Sequence, residues 1–310
     1  MALFILAIRA RRGDDNFVKV DVGRIAAAAL LCLVTPVTAA QRPLPDQQQF
    51  LDEIRKRLDT NDQRQSGYMY VDTRRERKLD KAGRTTNESV KVLESYPGLP
   101  GEQRWERVLS VDGRAVSAAE LEKGDRERRK HVEDYARKAA KDPAAEREKQ
   151  MRDRAREQRE RTESIDDALR IFDIRMLGRE TIDGHDTIVF SLTPRPGVKP
   201  RTRVGGIMRN VSGRAWISES EYELVRLDVQ TIDTVSFGLG VLARLHKGSQ
   251  ASFQRRKVNG EAWLPATASY TISARLGLVA VFRRAATFEY SNYKKFGVDS
   301  SYRVTPPIAR

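Results

Sequence analysis

The sequence predicts an α+β fold with a large antiparallel sheet and a charged helical arm. The first observation is the alternation from Ala262 to Ala274, where even positions are apolar and odd positions are mostly polar. This period of two is typical of a strand with one buried and one solvated face. The second is the pair of turn dipeptides Asp183-Gly184 and Asn259-Gly260, which suit tight hairpins. The third is a segment of mixed charge, Glu120 to Glu163, which cannot bury a core of its own.

Residues 1–40 have the features of a secretory signal peptide. Basic residues precede an apolar run from Ile25 to Val34, and small residues follow up to Ala40. The run is too short to cross a membrane, which takes roughly 20 apolar residues. Cys32, the single cysteine, lies in this run, so we expect an exported chain without disulfides or thiolate metal sites. Residues 41–310 then form the mature domain, and its location is predicted to be periplasmic.

The net charge of +14 indicates anionic partners. For a cytoplasmic protein this balance would favour nucleic acid. For an exported one it favours anionic lipid head groups, lipopolysaccharide or acidic glycans, so no nucleic-acid partner is expected.

The first part of the mature chain predicts one helix and three strands. Asp46 to Leu58 has the apolar spacing of an amphipathic helix, with Asp46 as its N-cap. Strands are expected over Gly67–Val71, Val90–Tyr96 and Trp105–Val111, the last entering an Asp-Gly turn.

The insertion from residue 120 to residue 163 is predicted to be a solvated helical arm. Asp142-Pro143 should divide it into two helices, because a residue before proline disfavours the helical conformation. Ser164 is then expected to cap a short separate helix that leads into the C-terminal strands. A partner-binding role for the arm is the functional alternative to simple solvation.

Catalytic and metal-binding motifs are not evident in the sequence. His131, His185 and His246 occur singly, without the spacing of metal ligands or of a nucleophile and its base. No cofactor, metal or catalytic residue is predicted. A hydrolase built on two carboxylates stays open, because the pairing of acids in space is not visible in a sequence.

Two segments are candidates for ligand contact. The Pro/Gly-rich stretch from Pro194 to Asn210 is either a solvated loop or an anion-binding flap. The apolar stretch from Val235 to Leu245, interrupted by two glycines, either closes one end of the core or lines a cavity. The basic residues of the first segment that could hold an anionic head group are Arg195, Lys199, Arg201 and Arg203.

Several short sequence motifs in the C-terminal half resemble those of the bacterial outer-membrane lipoprotein-sorting and lipoprotein-carrier superfamily. They are Gly213-Arg-Ala-Trp-Ile-Ser, Leu224-Val-Arg-Leu-Asp, Trp263-Leu-Pro and Tyr290-Ser-Asn-Tyr-Lys-Lys-Phe. Ser218 stands where the superfamily has an acidic residue. The resemblance implies a curved half-barrel with helices on its concave face and acyl chains carried in that hollow. The charged arm departs from the compact carriers of this superfamily.

The sequence therefore predicts a non-enzymatic periplasmic carrier or binder of lipid or lipoprotein acyl chains. The alternatives are an envelope scaffold or sensor that binds a protein through the arm, and a carboxylate-based envelope hydrolase. The residues expected to line or roof the apolar hollow are Phe237, Leu239, Leu242, Leu264, Tyr270, Ile272, Phe282 and Phe288.

Overall fold

The structure is a computed structural model of the chain. It describes residues 42–57, 64–100, 102–237, 243–277 and 280–295. The predicted signal peptide lies outside the described residues.

The described residues form four principal helices and thirteen strands. The helices are α1 (Gln47–Arg57), α2 (Ala118–Lys141), α3 (Pro143–Ile171) and α4 (Arg203–Met208). The strands are β1 (Tyr68–Leu79), β2 (Thr85–Tyr96), β3 (Trp105–Val111), β4 (Arg114–Ala115), β5 (Phe172–Ile182), β6 (His185–Pro194), β7 (Val211–Ser218), β8 (Leu224–Thr231), β9 (Val235–Phe237), β10 (Ala243–Leu245), β11 (Gln250–Val258), β12 (Ala262–Leu276) and β13 (Ala280–Lys295).

All strands belong to one antiparallel sheet that does not close on itself. The order is β4-β3-β2-β1-β13-β12-β11-β8-β7-β6-β5, and the β9–β10 pair joins it at β12. The last described strand, β13, therefore pairs with β1, and the two lie side by side within the sheet. This arrangement confirms the predicted α+β class and its large, open, curved sheet.

The hairpin turns follow the sequence signals closely. Asp112, Asp183 and Asn259 have φ angles of 51°, 48° and 52°, and the glycine after each is also at positive φ. Two consecutive residues at positive φ give the type I′ geometry that matches the twist of the flanking strands. The predicted turns are confirmed.

Strand register separates an apolar face from a polar face. One row of partners across six strands is Phe190, Ala215, Leu227, Phe253, Ala268 and Phe288. The neighbouring row, one residue along and therefore on the opposite face, is Ser191, Arg214, Asp228, Ser252, Ser269 and Thr287. We call these surfaces the apolar face and the polar face.

Helix α1 covers the apolar face over β5 to β8. Phe50 is buried against Phe190 and Ile217, and the Phe50 and Phe190 ring centroids are 5.7 Å apart. The Gln47 side chain bonds the backbone of β5 at Ile174 and Met176. The backbone N–H of Gln49 donates to the Asp46 carboxylate at 2.9 Å, which confirms the predicted cap.

The charged segment is helical and divides where the sequence predicted. Helix α2 ends at Lys141, and Pro143 is the first residue of α3. The predicted cap at Ser164 is wrong, because α3 runs on without a break to Ile171. The Ser164 hydroxyl instead donates to the Glu160 carbonyl within the helix, an arrangement that lets a serine remain in a helix interior.

Sequence reasoning did not predict how the arm is anchored. Arg107 of β3 and Asp125 of α2 are both buried and form two hydrogen bonds of 2.9 and 3.1 Å. Glu94 on β2 also contacts Arg107, at 3.1 Å. Arg107 pairs across the ladder with Glu94. Leu93, one position along β2, lies on the apolar face, so the Glu94 and Arg107 side chains lie on the polar face. Helix α2 thus docks on the face opposite to α1.

Candidate functional site

The apolar face holds a cluster that contains four of the eight predicted hollow-lining residues. Tyr270, Ile272 and Phe288 are buried in it, and Phe282 packs against it from a partly buried position. We call this set, with Val235, Leu245, Ala268, Ala274 and Ala286, the apolar cluster. Tyr270 and Phe288 are each only 7% exposed, so the cluster is well covered.

The remaining predicted lining residues are placed differently. Leu264 is fully buried in a separate cluster with Tyr68 and Ala262. Phe237 belongs to β9. Val235 of the same strand is buried in the apolar cluster, together with Leu245 of β10. The two described ends of the segment, β9 and β10, thus each contribute a buried side chain to the apolar cluster. The side chain of Phe237, and Leu239 and Leu242 as a whole, lie outside the described residues.

The four predicted head-group residues form an exposed basic segment beside this cluster. Arg195, Lys199, Arg201 and Arg203 are all exposed. Helix α4 begins at Arg203, and its Ile207 packs against the apolar cluster. The predicted basic loop thus contains a short helix that connects the charged surface to the apolar interior.

A buried carboxylate holds this basic segment in place. Asp167 near the end of α3 accepts backbone N–H bonds from Arg201 and Thr202 and one bond from the Thr202 hydroxyl. Arg170 donates both to Asp167 and to the Lys199 carbonyl. Burial raises the pKa of Asp167, but the hydrogen bonds from Thr202, Arg201 and Arg170 outweigh it and lower the pKa below its usual value.

Glycine is required where α4 meets α3. A Cβ added to Gly205 would lie 2.1 Å from an Asp167 carboxylate oxygen, whereas one added to Gly206 would meet nothing within 4 Å. The absence of a side chain at Gly205 lets α4 sit directly on the carboxylate that fixes it.

The apolar face becomes charged on its β13-β1-β2-β3 side, which the sequence analysis missed. Asp72 pairs across the ladders with Tyr290 and Leu93, so its side chain shares their face. It is 4% exposed and bonded to Arg74, which also bonds Glu106. Burial raises the pKa of Asp72, and the nearby Arg74 only partly offsets it. Polar residues occupy both faces of β1, so only the pairing with β13 could have revealed this site.

A concavity lies on the polar face. Its volume is about 570 Å³. Most of the residues that line it are polar, among them Ser212, Arg214, Asp228, Gln230, Ser252 and Thr271, and the apolar residues at its wall are Leu192, Val229, Ala251 and Tyr270. This cavity lies on the face opposite to the one on which the sequence predicted an apolar hollow, and Tyr270 alone of the predicted lining residues takes part in its wall.

Metal and membrane-spanning features are absent from the described part of the chain. No group of three or more metal-ligating side chains comes together among the described residues. Within the same ranges, no helix is both long and apolar enough to cross a bilayer. The histidines are scattered: His131 contacts Glu102, and His185 packs its ring against Trp263.

Comparisons with known proteins give structural matches only. No protein-family model and no curated protein matches the chain. An outer membrane lipoprotein-sorting protein domain from Vibrio parahaemolyticus is 10% identical, with a TM-score of 0.32 over 82% of this chain and 95% of that one. A LolA superfamily protein from Nitrosomonas europaea is 11% identical, with a TM-score of 0.24 over 81% and 94%.

A third match is the MucA/MucB complex of Pseudomonas aeruginosa. The matched chain is 10% identical, with a TM-score of 0.22 over 79% of this chain and all of that one. The matched structures thus include proteins of the superfamily that the sequence motifs resemble. Superpositions this loose do not align individual residues, so no residue role is carried over from them.

Proposed function

We propose that this chain is a non-enzymatic binder or carrier of acyl chains, lipid or lipoprotein, that acts in the periplasm. The observation that carries the proposal is the apolar face itself. It extends without interruption from Phe190 on β6 to Phe288 on β13. An apolar surface of this extent is large enough to accommodate a fatty-acyl chain alongside the cluster.

The elements over this face are small enough to be displaced. In the described residues they are the eleven-residue α1 and the six-residue α4. Since the apolar cluster is closed in this structure, a ligand enters by moving one of these elements. Each ligand methylene that becomes buried in place of the moved element contributes about 0.8 kcal/mol to the free energy of binding.

The basic segment supplies the charge for an anionic end group. Arg195, Lys199 and Arg203 are exposed, and α4 links them to the apolar cluster through Ile207. A ligand could place its acyl chain on the apolar cluster and its phosphate or carboxylate against the basic segment, so that each surface binds the part of the ligand that suits it. The basic composition of the chain supports the same class of ligand.

Two adjacent residues of β13 provide the test. Phe282 packs against the apolar cluster, whereas Val281 points to the other face and is 56% exposed. Phe282→Glu should weaken the binding of a fluorescent fatty-acyl probe at least tenfold, because the carboxylate would lie against the acyl chain. Val281→Glu should change it less than twofold.

Thermal melting of both variants establishes that they are folded when binding is measured. A Phe282→Glu protein that melts cooperatively and binds the probe as the parent does would refute the proposal.

A further inference from the structure

A buried pair of charges lies directly beside the apolar cluster. Asp72 and Arg74 of β1 are paired across the ladder with Tyr290 and Phe288 of β13. The Arg74 guanidinium lies 5.3 Å from the centroid of the Phe288 ring, and Phe288 belongs to the apolar cluster. A chain lying on the cluster and running toward β1 therefore ends at this pair.

The pair is incompletely bonded. One terminal nitrogen of Arg74 donates to Asp72 Oδ2 at 2.7 Å and to Glu106 at 3.0 Å. Asp72 Oδ1 and Arg74 Nε are buried and have no partner. Among the side-chain oxygens of the described residues, Asp72 Oδ1 alone is in this condition. Buried side-chain oxygens almost always have partners, so Asp72 Oδ1 marks a place that a further donor would complete, whereas an unpartnered Nε recurs at other described arginines such as Arg77 and Arg275.

An Arg–Asp pair on the polar face shows that strand geometry does not force such a pair to be incompletely hydrogen-bonded. Arg226 and Asp228 of β8 are also two residues apart on one face. There the Arg226 side chain donates to both oxygens of Asp228, and the Ser252 hydroxyl also donates to Oδ1. Both carboxylate oxygens of Asp228 thus have partners in a more exposed pair of the same residue types at the same spacing, so the unmet oxygen is a feature of Asp72 and its buried position.

We propose that Asp72 and Arg74 bind the neutral polar end of an amphiphile whose acyl chain lies on the apolar cluster, and that this end offers one hydrogen-bond donor and one acceptor. Hydroxyl and amide groups have this chemistry: the donor meets Asp72 Oδ1 and the acceptor meets Arg74 Nε. The proposal rests on the proposed acyl-binding function.

Charged groups fit the pair poorly. An anion would face the carboxylates of Asp72 and Glu106. An ammonium group would face Arg74 and leave Arg74 Nε without an acceptor. The basic segment at α4 lies on the β7 side of the cluster and Asp72 on its β1 side, so the two polar sites recognise different groups.

The parent protein provides the first measurement. Ligands of equal chain length compete with a fluorescent fatty-acyl probe: a monoacylglycerol, a fatty primary amide and a fatty-acid methyl ester. The ester accepts hydrogen bonds but donates none. The monoacylglycerol, the amide or both should bind about tenfold more tightly than the ester, which corresponds to roughly 1.4 kcal/mol. Which of the two binds more tightly distinguishes a hydroxyl from an amide ligand.

The Asp72→Asn variant provides the second. Its side-chain oxygen must face the Arg74 donor, so its NH₂ group takes the place of Oδ1 and a free acceptor becomes a free donor. The advantage of the hydroxyl or amide ligand over the ester should fall at least fivefold. Asp228→Asn, the same change on the polar face, should leave the order of affinities unchanged.

The outcomes separate the two claims. A parent that binds all three ligands equally, or an Asp72→Asn protein with the parent's selectivity, overturns the site while the acyl-binding function stands. A parent from which no acyl ligand displaces the probe, because the probe itself does not bind, overturns the acyl-binding function.

Discussion

Helices α1 and α2 dock on opposite faces of one sheet by opposite chemistry. Helix α1 buries a single aromatic side chain, Phe50, against other apolar groups. Helix α2 buries Asp125 and Arg128 and no apolar side chain. Apolar docking is non-directional and readily shifts, whereas a buried ion pair fixes one geometry. Apart from the Gln47 bonds to β5, the docking of α1 is apolar, so under the proposed function we expect α1 to move for a ligand and α2 to hold its position.

The largest effect on stability is expected at Phe50. It is 3% exposed and contacts Phe190, Tyr222 and Ile217. Phe50→Ala should lower the free energy of unfolding by about 3 to 5 kcal/mol, or release α1 from the sheet. Urea unfolding and hydrogen exchange of α1 measure these two results. Leu51→Ala, at a partly buried neighbour, is the control and should cost less. An equal loss at both positions would contradict a single aromatic anchor.

A smaller effect is expected at the ionic anchor of α2. Asp125→Ala leaves Arg107 buried, with Glu94 as its remaining partner at 3.1 Å. Loss of one partner of a buried pair lowers the free energy of unfolding by about 3 to 5 kcal/mol. Because Arg107 keeps its contact with Glu94, we expect Asp125→Ala to cost about 3 kcal/mol. Asp134→Ala on the same helix removes an exposed ion pair with Arg137 and should cost less than about 1 kcal/mol.

Urea unfolding of the two variants gives the comparison directly. If Asp125→Ala were no more costly than Asp134→Ala, the arm would not be anchored through this pair, and the contrast between the two helices would fail.

The difference between the helices also explains what the sequence could predict. Apolar spacing gave α1 and its cap at Asp46, and alternation gave β12 and the face that carries Tyr270 and Phe288. These signals are local, because each repeats within a few residues. Asp125 is one carboxylate among many in the arm, and its partner Arg107 is eighteen residues away on a strand.

The charged side of the apolar face was hidden for the same physical reason. Asp72 and Arg74 have no local pattern that distinguishes them from solvated strand residues, and their burial follows from the pairing of β1 with β13, more than two hundred residues later in the chain. Long-range strand pairing is not contained in hydrophobic periodicity. The cap predicted at Ser164 failed because a serine inside a helix can bond the preceding turn instead.

The central claim is that the apolar face holds an acyl chain, and the most direct measurement is mass spectrometry of lipid extracted from the protein purified without detergent. We expect acyl lipid in an amount approaching one molecule per chain from the parent and from Val281→Glu, and much less from folded Phe282→Glu. A parent that carries no acyl lipid and takes none up from vesicles, or equal amounts from all three proteins, would contradict the account.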